Sequence, residues 1–129
     1  MRRWFLIGVV IALGLAGCGQ APAEAVPGQW RAPSMGLVTF TADGWMYIHD
    51  ERKLVCWQVQ EESIRITDPG ELPSEIPLDL SVEDAAMTWQ YNGQVISFER
   101  VGAAAELPDE ARQQREQAVA AGRGCEVSP

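Results

Sequence analysis

One histidine, His49, and one lysine, Lys53, are all that this 129-residue chain holds of either type. The scarcity excludes several chemistries. A metal centre draws on several neutral donors at suitable spacing, and His49 stands alone, followed by Asp50 and Glu51. Neither metal nor cofactor is expected. General acid–base work needs a nucleophile or partner in reach, and no Gly-x-Ser-x-Gly, His-Glu-x-x-His or phosphate-binding glycine loop is present. The expectation is therefore no catalytic residue and no enzyme. Positive charge is short as well, with 10 Lys and Arg against 18 Asp and Glu. Such a surface repels phosphate backbones, which removes nucleic acid as a partner. Long apolar runs are also missing. The stretch Trp4 to Leu15 has 12 uncharged residues, where a membrane-spanning helix needs roughly 20.

What is present begins with an address. Met1-Arg2-Arg3 is positive, the run Trp4 to Leu15 is apolar, and Ala16-Gly17 are small. That order defines a secretory signal peptide. Leu15-Ala16-Gly17-Cys18 resembles the lipobox of bacterial lipoproteins at all four positions. The resemblance implies that residues 1–17 are removed and that Cys18 takes a diacylglyceryl group on its thiol. Its new amine is then acylated, with a chain such as palmitate. One acyl chain anchors only marginally, at ~0.8 kcal/mol per buried methylene, whereas two or more hold. The implied location is the cell envelope, with the membrane engaged through the lipid on Cys18. In that family an aspartate after the lipidated cysteine commonly retains the protein at the inner membrane. Gly19 therefore favours the outer membrane, facing the periplasm, in a cell with two membranes. Loss of Arg2 and Arg3 leaves 8 basic against 18 acidic residues.

Residues 18–27 read as a lipidated tether. Gly19 to Pro27 (GQAPAEAVP) is rich in Ala and Pro, and at ~3.1 Å per residue it would hold a domain up to about 28 Å from the lipid. Residues 28–101 read as strands and turns. Runs opening at Gly28, Leu37, Trp45, Leu54, Ile64, Leu78, Met87 and Gln94 are separated by turn signals, among them Asp43-Gly44 and Asn92-Gly93. Asp68 to Pro77 carries three prolines and is a loop. The expected class is mainly β, a small antiparallel barrel or sandwich of seven or eight short strands with one C-terminal helix. Alternation places Val55, Trp57, Val59, Ile64, Ile66 and Phe98 in one core. Residues 102–129 form the helix and tail, starting at Pro108 and stopping near Gly122. The helical stripe of Leu107, Ala111, Ala118 and Val119 is too poor to dock firmly alone. With Cys18 lipidated, Cys56 and Cys125 are the two remaining thiols. The oxidising compartment points to a disulfide tying tail to sheet.

Several loose motifs between Gly28 and Val101 resemble small lipocalin-like lipoprotein domains. They are Gly28-x-Trp30, Phe40 with Asp43-Gly44, the aromatic Trp57, the Ile64/Ile66 strand and Phe98-Glu99-Arg100-Val101. The resemblance implies a small β-barrel. Trp45, Tyr47 and His49 share the strand face opposite Met46 and Ile48. If Met46 and Ile48 point inward, Trp45, Tyr47 and His49 form an exposed contact patch. The expected function is a non-enzymatic envelope lipoprotein that binds another envelope protein, as assembly factor, inhibitor or accessory subunit. An inhibitor of a basic lytic enzyme such as lysozyme is a narrower form of the same idea. The alternative is a lipocalin-like carrier of a small apolar ligand, since eight strands can enclose one.

Overall fold

Alternating apolar and polar residues between tight turns produce eight strands: β1 (Gly28–Ala32), β2 (Gly36–Phe40), β3 (Trp45–Ile48), β4 (Lys53–Gln60), β5 (Ser63–Thr67), β6 (Leu78–Val82), β7 (Ala86–Tyr91) and β8 (Gln94–Gly102). The computed structural model describes residues 21–70 and 77–125. Cys18 and the signal segment lie outside them. Each strand pairs antiparallel with the next, and β8 returns to β1, so the sheet is a closed up-and-down barrel. Its turns obey local chemistry. Asn92 and Gly93 both take positive φ, the requirement of a two-residue hairpin turn, and Tyr91 faces Gln94 across it. The Asp43-Gly44 turn is wider. Thr41 organises it, accepting the Trp45 N–H on Oγ1 at 3.0 Å and donating to Asp43 at 2.5 Å.

The barrel interior is built from every second residue. Trp30, Val38, Phe40, Met46, Ile48, Val55, Trp57, Ile64, Met87, Trp89 and Phe98 form one buried cluster, with Val59 and Ile66 packed at its margin. Phe40 meets Trp57 and Trp89 edge-on, at centroid distances of 5.9 and 6.1 Å, and Trp89 meets Phe98 at 4.7 Å. Edge-to-face contacts of this kind add stability beyond the area buried. Of the six residues expected in one core, Val55, Trp57, Ile64 and Phe98 belong to it, and Val59 and Ile66 are partly buried against it.

Two expectations about the flanks are corrected. The end of the tether is not extended and not free. Pro22–Ala25 forms a single helical turn, α1, and the Val26 that follows it is completely buried in the barrel cluster. The Val26 carbonyl accepts from the Trp30 indole at 2.8 Å. Arg100 donates to the carbonyls of Ala25 (2.7 Å), Pro27 (3.2 Å) and Asp84 (2.7 Å). Its guanidinium also lies 4.2 Å over the Trp30 ring. An apolar plug and one multiply bonded arginine therefore close this end of the barrel. The second correction concerns α2 (Asp109–Ala120), capped by Pro108 as expected. Its buried face is Ala111 and Ala118 with Leu107 ahead of it, while Val119 is exposed. Leu107, Ala111 and Ala118 pack on Trp45, Tyr47 and Leu54 of the barrel exterior.

Candidate functional site

The face expected to be an open aromatic patch is covered. Met46 and Ile48 do point inward, so Trp45 and Tyr47 point outward, yet they are only 4% and 3% exposed. Alternation along a strand decides which face a residue takes and says nothing about what lies against that face. Here the occupant is α2. The Tyr47 hydroxyl donates to Glu110 at 3.3 Å, and Gln114 donates to the Arg52 carbonyl at 3.1 Å. Burial raises the Tyr47 pKa, and Glu110 raises it further, so the phenol stays protonated.

Cys56 and Cys125 are joined in a disulfide, with Cα atoms 5.4 Å apart. Cys56 sits on the outer face of β4, partly buried against the Trp45–Ala118 cluster. The bond thus fastens the tail just beyond α2, where the helix contributes little apolar area. Salt links between Arg115 and Asp43 (3.9 Å) and between Arg52 and Glu110 (4.0 Å) flank the contact. Being exposed, they add little.

His49 is half-buried at the start of the β3–β4 turn. Its ring stacks edge-on with Tyr47 at 4.9 Å, and Nε2 lies 2.8 Å from Thr39 Oγ1. Burial lowers its pKa below the ordinary histidine value, and Asp50 opposes that shift only in part. The lone imidazole is held by a neutral hydroxyl. Among the described residues no group of three His, Cys, Asp or Glu side chains is arranged to hold a metal ion.

The apolar surface that remains open lies elsewhere. A shallow recess of about 500 Å³ sits between the β1–β2 turn and β8, edged by Ala32, Pro33, Gly36, Ser97 and Phe98 with the charged Arg31 and Glu99 beside them. Tyr91 and Val95, on the β7–β8 hairpin, are 48% and 55% exposed, and Val101 and Val119 are exposed as well. This surface was not anticipated from the sequence. Its visible signal is Pro33, which cannot donate to a ladder and so ends β1 early. Two polar grooves border α2. Lys53, Asp68 and Arg123 edge the first, and Asp43, Glu106 and Arg115 the second.

Compared with protein-family models, curated proteins and solved structures, the chain matches none.

Proposed function

We propose that this chain is a lipid-anchored, non-enzymatic protein of the cell envelope that binds another envelope protein through the outside of its barrel. The observation that carries the reading is the filled inner face. Five aromatic side chains, Trp30, Phe40, Trp57, Trp89 and Phe98, meet inside eight short strands. A barrel that spends its interior on its own packing has its exterior left for recognition. The lipobox supplies the address: cleavage before Cys18, acylation, and retention at a membrane surface. An acidic, nearly lysine-free surface suits a basic partner by charge complementarity.

A carrier of a small apolar ligand is the second reading, and one observation favours it. Among the described residues the buried Trp89 indole N–H has no acceptor. Most buried donors find a partner, so a bound molecule offering one oxygen would satisfy it. Two measurements separate the readings. Photo-crosslinkers at outward-facing Gln58 and Thr88 in the anchored protein should yield a discrete adduct with another envelope protein. Native mass spectrometry of protein extracted from its own envelope should show no stoichiometric small molecule beyond the anchor. A retained ligand, with no protein adduct from either position, would overturn the first reading in favour of the second.

A further inference from the structure

The C-terminal helix is a poor match for the surface beneath it. The barrel offers Trp45, Tyr47 and Leu54 at this contact, each at most 5% exposed. Against them α2 sets only Ala111 and Ala118, with Leu107 ahead of its first turn. Grooves of about 420 and 440 Å³ run along opposite flanks of the helix. Gln114 and Gln117 edge one, and Arg112 and Arg115 edge the other. The polar links are few: Tyr47 to Glu110, Gln114 to the Arg52 carbonyl, and ion pairs of 3.9 and 4.0 Å. Exposed pairs of that kind hold weakly. Residues 103–108, which join the helix to β8, contain no helix or strand, so no element stiffens the connection. What fixes α2 is the Cys56–Cys125 disulfide just past its end. Both cysteines are partly exposed, and exposed disulfides are the labile ones.

We infer that this disulfide is a redox latch over a docking surface. While it is closed, α2 covers Trp45, Tyr47 and Leu54. Once it is reduced, α2 swings away and the same face takes an amphipathic helix of a partner protein. The inference rests on the proposed reading of the barrel exterior as a recognition surface. The reductant is the dithiol of an envelope thiol–disulfide oxidoreductase. One of its thiolates attacks Cys125 Sγ, the Cys56–Cys125 bond breaks, and Cys56 leaves as a thiolate that takes up a proton. The donor's second thiol gives up its proton and displaces Cys125 from the mixed disulfide, and Cys125 is protonated in turn. Two electrons reach the chain, and the donor ends as a disulfide.

The present occupant shows that the face accepts a helix, and its polar partners define the charges required. Arg52 faces Glu110 and Asp43 faces Arg115. The incoming helix therefore carries an acid and, five positions on, a base. Helices in grooves are held by apolar anchors three, four and seven residues apart, and Ala111 and Ala118 stand at the last of these spacings. The groove edged by Ala118 and Leu54 has room for a larger side chain, so the partner's anchor there is bigger than alanine.

A fluorescein-labelled peptide of residues 105–121 carrying Ala118→Leu serves as the probe, and anisotropy against the detergent-extracted full-length chain reads its binding. The assay needs neither anchor nor natural partner, so its failure leaves the crosslinks at Gln58 and Thr88 as a separate test of the exterior reading. The dithiothreitol-reduced chain should bind the probe at least roughly tenfold tighter than the oxidised chain. Leu54→Gln in the chain should abolish that gain, and Glu110→Lys with Arg115→Glu in the probe should weaken it. Hydrogen exchange guards against general unfolding. On reduction the amides of 109–120 should exchange at least roughly tenfold faster, while those of β3 and β4 keep their protection. Equal binding by the two redox forms, or none by the reduced chain, would overturn the inference. So would undiminished binding by Leu54→Gln or by the charge-swapped peptide. An α2 as protected as before reduction, or protection lost throughout the barrel, would refute the latch itself.

Discussion

At the scale of single residues, Arg100 shows how a few atoms tie distant parts of the chain together. Its guanidinium donates to the Ala25 and Pro27 carbonyls at the C-terminal end of α1 and to Asp84 on the β6–β7 turn, while its flat face lies over Trp30. Arg100→Ala should destabilise the fold by about 2–3 kcal/mol in denaturant unfolding. Arg100→Lys should recover only part of that, because a point charge cannot reproduce the fork. Gly28 belongs to the same assembly. It takes φ of +137°, and a Cβ there would fall 3.0 Å from the Gly102 carbonyl and against Arg100. The spacing Gly28-x-Trp30 was legible in the sequence, but its reason was not, because Arg100 lies some seventy residues away. His49 carries a pH dependence. Its pKa is lowered in the folded chain, so below about 6.5 the unfolded state takes up the proton more readily. The stability His49 contributes is complete above that value and is lost as pH falls through the folded pKa. Unfolding midpoints between pH 5 and 8 should decline on acidification more steeply for wild type than for His49→Gln. Equal slopes would refute the assignment.

At the scale of elements, the C-terminal helix depends on its bond. Leu107, Ala111 and Ala118 bury little area, and the disulfide closes a chain separation of 69 residues. On the chain-entropy model that closure stabilises by roughly 4 kcal/mol, an upper guide. Cys56→Ala with Cys125→Ala should therefore lower stability by up to that amount and loosen α2. Trp45 and Tyr47 would then meet solvent, seen as a red-shifted tryptophan emission and dye binding that wild type lacks. Strands and helix were legible because their signals are local: period-two alternation, Asn92-Gly93, Pro108 and Gly122. The one-turn α1 was illegible for the opposite reason. Its Ala and Pro composition reads as linker, and only the mouth of the assembled barrel gives Val26 somewhere to go. The covered face of β3 was hidden likewise, since it depends on β3 and α2 meeting from distant parts of the chain.

For the whole molecule, the proposed location rests on the proposed lipidation of Cys18. Cys18→Ala should leave an unprocessed precursor, and metabolic labelling with a fatty-acid analogue should mark wild type only. Equal label on both would remove the anchored reading while leaving the barrel and its disulfide untouched. An up-and-down barrel also sorts its turns by end. The β2–β3, β4–β5 and β6–β7 turns share the end closed by α1, and the β1–β2, β3–β4 and β7–β8 turns share the other.

The docking of Val26 has a consequence for posture. With α1 seated in the barrel mouth, three residue steps separate Cys18 from Ala21, and fully extended they span at most roughly 10–11 Å. On so short a leash a barrel acylated at Cys18 as proposed would have little room to tumble. Anchored as proposed, it would stand with its plugged end down against the headgroups and its hairpin tips up, and neighbours moving in the same leaflet would meet it side by side. A lengthened leash should undo that posture without touching the fold. Ten Gly and Ser residues inserted after Gln20 should leave thermal unfolding unchanged while making the α1 end newly accessible to a soluble protease or a bulky thiol reagent placed there.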